Sequence, residues 1–561
     1  MRTSRLVGFL AALGLCGALV LSACSRAAPG PTVQPTSPTK ATSVPTSSSA
    51  APAPAGPYGD LRLGLNSFDA ETFDPIKGTS SLGGLLDSPM VDSLLRLDGK
   101  KVVAGVADSW EMASDGLSWV FRIHKGIKFH NGDDLTGRDV KFTFERYMSK
   151  DAQAALIRNT VDRVDMVDDY TVRVYTKGPQ PLLPLSVAWY YPAQGWVQPK
   201  NYIEKNGMEY FNAHPIGSGP FKFVSRVPGD SIKYEALDKH WRQAPAFKNL
   251  TTVLVPEETT AIAMLKVGQL DIIGVSQDGG QQIAQSGLRT NVLSSQQAVI
   301  LLKGAYEPDV AGTPLADMKV RQALSLAINR DEIIKTLFYS QATPGLPGFM
   351  TEDTVGIDLN YWREQAKNAY NKYDAQRATQ LLKEAGYPDR FASSKNIKFY
   401  SFPMPGAPFL PKLAEIVASY WQKVGVSVDL IPTDLPSVAP TFNTIRFPNL
   451  RGTVIVMKVS GRPDPTQLFQ TYVTYNSTMA MLGKAFPEVE QMVAAAASET
   501  DTNKRSKMLA DVLKISSDAY VGLMIAGVPA LVGLGPGVDF PAATGVPELT
   551  IYAELVKHRR S

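Results

Sequence analysis

The chain has 561 residues, more than one hydrophobic core usually organises, so at least two lobes are expected. Hydrophobic residues make up 44% and charged residues 20%, which excludes the disordered and polytopic membrane classes. The formal net charge of +4 is spread over lysines and arginines scattered among acids, so no basic face forms and no nucleic-acid partner is expected.

Arg2 and Arg5 precede the apolar stretch Leu6 to Leu21, which closes on Ser22, Ala23 and Cys24. Charge, apolar run and small residues in that order mark a secretory signal over residues 1–23. The run is short of the roughly 20 apolar residues that a spanning helix needs. Leu21-Ser22-Ala23-Cys24 resembles a bacterial lipoprotein box, which implies cleavage before Cys24 and acylation of its thiol. The other cysteine, Cys16, leaves with the signal, so the mature chain has no thiol for a disulfide, a nucleophile or a metal. Several acyl chains anchor stably where one does so marginally, which implies attachment at the outer face of the cytoplasmic membrane. Residues 24–57 are then a tether dominated by Pro, Ser, Thr, Ala and Gly, a composition that buries no core. At about 3.1 Å per residue the extended tether reaches on the order of 100 Å.

After Tyr58 the pattern is mixed α and β. Leu61, Leu63 and Leu65 alternate as a strand, followed by a loop from Asn66 to Pro75. Leu117 to Ile123 reads as a strand, Asn131-Gly132 as the turn that ends a second short one, and Thr136 as the N-cap of a helix through Val140, Phe144 and Tyr147. Thr260 to Lys266 is helical in pattern and leads into the apolar run Leu270 to Ile273. Asp317 caps a helix with Val320, Ala323, Leu324, Ala327 and Ile328 on one face, and Asp331 starts another over Ile333 to Tyr339. Asp374 opens a third, with Ala378, Leu381, Leu382 and Ala385 inward and Gly386 as its stop. Leu413, Ile416, Val417, Tyr420, Trp421 and Val424 form a helix ended by Gly425, and Val426, Val428 and Leu430 alternate as a strand. Helix-glycine-strand units of this kind build α/β lobes.

Enzyme signals are weak. The five histidines, His124, His130, His214, His240 and His558, include no pair at metal-ligand spacing, and no metal or cofactor is expected. Gly217-Ser218-Gly219-Pro220 lacks the lysine of a phosphate loop and the spacing of a nucleophile elbow, and reads as a turn. The acid pairs Asp168-Asp169 and Glu257-Glu258 read as solvated faces. A lipoprotein hydrolase is disfavoured because no nucleophile and base pair up.

Four long segments carry a family resemblance: residues 106–140 with Trp110 and Trp119, residues 215–223, residues 264–271 and residues 319–330. Their content and order resemble the family 5 extracellular solute-binding proteins of ABC importers, which bind peptides and nickel, over nearly the whole chain after Tyr58. The resemblance implies a bilobal α/β fold of the periplasmic-binding-protein type, cluster C-like, with an extra domain inserted in lobe 1. Lobe 1 is expected at residues 58–91, 215–296 and 525–561, the insert at 92–214 and lobe 2 at 297–524. It implies a monomeric binding protein that closes on a small solute, a peptide first among them, and delivers it to permease subunits. A non-peptide solute such as an oligosaccharide, an opine-like anion or a metal chelate, and presentation of ligand to a receptor, stay open. Trp110, Trp119 and Arg321 belong to the motifs and are read as packing and ion-pair residues.

Ligand contacts are expected instead from loops facing the cleft: Phe68 and Asp69, Tyr306, Phe402 and Met404, and Gly461, Arg462 and Asp464. In peptide binders of the family the last segment resembles D-x-x-(D/E)-P, and its first aspartate pairs with the ligand's amino terminus. Here that position is Gly461, which weakens the case for peptides with a free amino terminus. Arg462 suits a carboxylate or phosphate, or pairs with Asp464.

Overall fold

In the computed structural model the described residues are 56–68, 71–77, 86–153, 156–188, 195–388, 391, 396–404, 406–541 and 552–559. The signal, Cys24 and nearly all of the tether lie outside them, as does Asp69.

The first strand, β1 (Asp60–Leu65), alternates as its leucines require, with Leu61, Leu63 and Leu65 in the core. After the hairpin β2 (Leu95–Asp98) and β3 (Lys101–Ala104), a four-stranded antiparallel sheet forms from β4 (Ala107–Met112), β5 (Ser118–Ile123), β6 (Val161–Asp168) and β7 (Thr171–Thr176), in the order β4-β5-β7-β6. Helix α1 (Gly137–Met148) is capped by Thr136: its hydroxyl accepts from the Arg138 N–H, and Asp139 accepts from the Thr136 N–H at 2.9 Å. The second short strand expected before Asn131-Gly132 is reduced to a single bridge between Lys128 and Asp134. These elements share one core with Phe121, Phe144 and Tyr147 at its centre.

The chain then returns through β8 (Phe221–Val227), β9 (Ser231–Ala236) and β10 (Asn249–Leu254) to the side of β1. Helix α2 (Glu258–Lys266), β11 (Ile272–Val275) and α3 (Gln277–Gln285) follow. Next come the 15-residue β12 (Arg289–Lys303), α4 (Met318–Leu326), α5 (Arg330–Thr336) and the two-residue β13 (Thr343–Pro344). Asp317 caps α4 as expected, its carboxylate accepting from the Lys319 N–H at 2.7 Å. Helix α5 starts earlier than Asp331, because Asn329 accepts from the Glu332 N–H, and it stops at Thr336; Tyr339 takes a positive φ of 52° that no helix continues.

Helix α6 (Ala375–Glu384), capped by Asp374, leads to β14 (Ile397–Ser401), α7 (Leu410–Lys423), β15 (Val428–Pro432), β16 (Thr453–Ser460), α8 (Pro465–Tyr472), α9 (Thr502–Asp518) and β17 (Gly522–Leu534). Of the strands named, β1 and β8 to β17 join one 11-stranded sheet in the order β15-β14-β16-β12-β17-β11-β1-β10-β9-β8, with β13 beside β17.

Strands β12 and β17 link the two halves of that sheet. Leu531 to Leu534 of β17 pair with β11, while Gln296 to Lys303 of β12 pair with β16. Between these stretches the two strands hold mainly each other, with an irregularity between Val292 and Ser294. In the β16 half both sheet faces are covered. Ala298, Ile300, Leu302, Val454 and Val456 point into one core, and Val299, Leu301, Ile455, Met457 and Val459 into the other. A strand buried on both faces reads as an unbroken apolar run, as Val454 to Met457 of β16 do.

Candidate functional site

The parallel strands β1, β10 and β11 end together, and so do β14 and β16 across the crossing strands. Carboxyl ends of parallel strands collect the loops that bind ligands. A cavity of about 570 Å³ lies there. One wall is Asn66 and Ser67 after β1, Pro256 to Glu258 after β10, and Val275 to Gln277 at the end of β11. The other is Met404 and Gly406 after β14, with Lys458, Ser460 and Gly461 at the end of β16. Ser294 to Gln296 of β12 and Pro529 to Leu531 of β17 line the stretch between.

The charges in this lining are few. Among the described residues they are Glu257 and Glu258 on the first wall and Lys458 on the second. Glu258 is engaged: its carboxylate accepts from the Ser276 N–H at 3.0 Å and from its hydroxyl at 2.7 Å. That contact places a negative charge where α3 begins, the position the helix dipole favours. Gln277 ties the same turn to a crossing strand, its Nε2 donating to the Pro529 carbonyl at 2.8 Å.

Of the expected contact residues, Met404 and Gly461 line the cavity. Gly461 is pressed against a neighbouring loop: a Cβ there would stand 2.5 Å from Thr351 Oγ1 and 3.2 Å from Asp353 Oδ2. A side chain at this position therefore requires Thr351 and Asp353 to shift. Asp353 Oδ2 is buried without a hydrogen-bond partner, and burial pushes the carboxyl up to about 6 against the pull of Lys100, which sits in the β2–β3 turn.

The other expected contacts are elsewhere. Phe68 packs in the core beneath β1, and Phe402 is fully buried, tilted against Phe442. Tyr306 accepts a hydrogen bond from Arg321 Nη2 at 2.8 Å and meets Phe486 edge-on. Arg321 is a packing residue without a carboxylate: its guanidinium donates to the carbonyls of Leu315, Ala316 and Ala519. Asp464 is fully buried, caps α8 through the Thr466 N–H at 2.7 Å, and holds Arg505 of α9 at 2.9 and 2.7 Å. The acid expected to pair with Arg462 is thus taken, and Arg462 is half-buried outside the cavity lining.

Glu257, Asp168 and Asp169 are exposed as a solvated face requires, Glu257 at the edge of the cavity, whereas Glu258 is half-buried and held by Ser276. The signal for Glu257 and Glu258 was their place at the start of α2, with Glu257 at its N-cap and Glu258 in its first turn, separated from β10 by two residues. Lys458 was hidden inside an apolar strand.

The turn at Gly217-Ser218-Gly219 is structural: a Cβ at either glycine would collide with the backbone of Met90. His130 closes it, Nδ1 accepting from the Gly217 N–H and Nε2 contacting the Gly219 carbonyl, and burial pushes the imidazole down to about 4. Among the described residues no group of three or more His, Cys, Asp or Glu is placed to hold a metal ion, and no helix is long and apolar enough to cross a membrane.

Residues 101–478 match the family model described as "Bacterial extracellular solute-binding proteins, family 5 Middle". The chain belongs to this family. Curated relatives include the glutathione-binding protein GsiB of Pectobacterium atrosepticum, 27% identical over 327 residues, or 58% of this chain and 60% of the relative. The dipeptide-binding protein of Escherichia coli is 23% identical over 458 residues, 76% of this chain and 81% of the relative. The chain thus matches only about three fifths of the first of these. Among solved structures, the ABC transporter substrate-binding protein CtaP of Listeria monocytogenes superposes with a TM-score of 0.75 at 19% identity, covering 90% of this chain and 99% of that one. The periplasmic binding protein MoaA of A. tumefacien R10, in complex with mannopinic acid, gives a TM-score of 0.69 at 20% identity over 90% and 100%. Likeness at such identity speaks to the fold, which is the bilobal one.

Proposed function

We propose that the protein is the substrate-binding lipoprotein of an ABC importer. It captures a small solute, with a short peptide as the leading class, and presents it to the membrane subunits. The observation that carries this reading is the cavity of about 570 Å³ shared by the carboxyl ends of strands in both halves of the large sheet, with β12 and β17 crossing between them. A ligand that touches both walls stabilises the closed form by the contacts it makes only there. The two crossing strands concentrate the bending in a short ribbon. In this reading residues 92–214 are the insert, residues 297–524 the second lobe, and Cys24 carries the acyl anchor.

Native mass spectrometry of protein purified without denaturation tests the proposal. A small organic solute released on activation is expected; a protein that holds no solute and is stabilised by none in a broad metabolite and peptide screen contradicts it.

A further inference from the structure

Resting on that function, we infer that Tyr339 and Asp278 form a latch between the two halves, a hydrogen bond made when they enclose the cavity and broken when they swing apart.

The contact joins the halves without passing through β12 or β17. The Tyr339 hydroxyl donates to Asp278 Oδ1 at 2.6 Å, across 61 residues of sequence. Asp278 sits in the first turn of α3, whose Ile283 packs with Leu265 and Ile273 in a core of the β1 half. Tyr339 follows α5, whose Ile333 shares a core of the β16 half with Phe338, Ile300 and Val454. Each partner is thus fixed to a different half, and a rotation of one against the other acts directly on the bond.

The backbone is strained to present this tyrosine. Tyr339 and Ser340 are consecutive non-glycine residues at positive φ, 52° and 61°. Two backbone bonds pin the conformation: the Ser340 N–H donates to the Ile334 carbonyl at 2.9 Å, and the Gln341 N–H to the Phe338 carbonyl at 2.8 Å. Phe338 is fully buried, edge-on to Phe409, whereas Tyr339 is exposed. A ring turned out of its own core at a conformational cost, with its hydroxyl on the other half, fits a contact between two bodies.

The Asp278 end adjoins the site. Ser276, the N-cap of α3, and Gln277 both line the cavity, so one helical turn carries the cavity wall and the latch together. With the bond made, the two walls enclose a volume of the size that holds a small solute, which assigns the bond to the closed form. Tyr339 and Asp278 are both exposed, so the bond biases the balance between two populated forms and does not lock it.

The test is the distance between spin labels at V267C, just past α2, and K412C, in α7, both exposed positions on opposite halves. Double electron–electron resonance is recorded on the full-length chain carrying C16S and C24S, as purified and after bound solute is stripped by reversible unfolding. Wild type is expected to show a short and a long distance, with stripping favouring the long one. Y339F and D278A are each expected to lower the short-to-long ratio about 3- to 10-fold. The double variant is expected to fall no further than either, and D278N, whose amide oxygen still accepts, to fall less. Melting temperatures are expected to stay near wild type, because both side chains are exposed. Unchanged ratios in Y339F and D278A overturn the inference, as do a gain of the short distance, additive losses in the double variant, or a large loss of stability. A single distance in every sample, unmoved by stripping, counts against closure itself and so against the transport reading.

Discussion

Gly461 and Asp353 exclude one another's enlargement: the space a side chain at residue 461 would take, 3.2 Å from Cβ to Oδ2, already holds the Asp353 carboxylate. G461A is expected to destabilise by about 1–3 kcal/mol through overpacking. G461D is expected to cost more, because it adds a like charge beside Asp353 and a 2.5 Å approach to the fully buried Thr351. Denaturant unfolding of the two variants checks the order, and the variant G461D is not expected to create affinity for free amino termini.

Asp353 gives a signed pH dependence. Its folded pKa is raised from 3.8 to about 6, so the native state holds this proton more tightly than the unfolded chain. The contribution is complete below the unfolded value and is lost as pH rises through about 6. Asp353→Asn is expected to raise stability at about pH 8 by on the order of 1–3 kcal/mol and to change it little near pH 4, as thermal melts at both pH values show.

Lys303 works in the opposite direction. It is fully buried in β12, its ammonium donating to the Met479 carbonyl at 2.7 Å beside the Met481 thioether, and burial pushes it down to about 7. The unfolded lysine stays protonated up to about 10.5, so stability rises with pH between about 7 and that value. Lys303→Met is expected to remove the rise and to stabilise the protein near neutral pH by a few kcal/mol, read by urea midpoints across the range.

Asp464 and Arg505 form a buried pair that joins the start of α8 to α9. Removing one partner strands the other, so Asp464→Ala is expected to cost about 3–5 kcal/mol. The double variant Asp464→Ala with Arg505→Met is expected to recover part of that loss, and a double-mutant cycle measures the coupling. A role for Asp464 in binding instead predicts lost affinity with unchanged stability.

Much of the fold was legible in the sequence. Local chemistry spoke for itself where it was strong, in the caps at Thr136, Asp317 and Asp374 and in the glycine stops at Gly386 and Gly425, which take positive φ of 91° and 93°. It misled at Asp331, where Asn329 two residues earlier caps the helix instead. The site was less legible. Met404 and Gly461 were found from loop position, but Phe68, Phe402 and Asp464 at the same end of the sheet have side chains turned inward, and Tyr306 follows the far end of β12, where Lys303 pairs with the first residue of β16. Which way a loop side chain points is decided by tertiary partners such as Arg321 and Arg505, far off in sequence. Lys458 was missed because a lysine inside an apolar strand gives no sign of lying at the strand's exposed end.

The central claim is that two halves joined by β12 and β17 close around a solute. Small-angle scattering of the full chain, first stripped of bound solute and then saturated with it, tests this most directly. The account predicts a smaller radius of gyration on saturation; tight binding with an unchanged radius would contradict it.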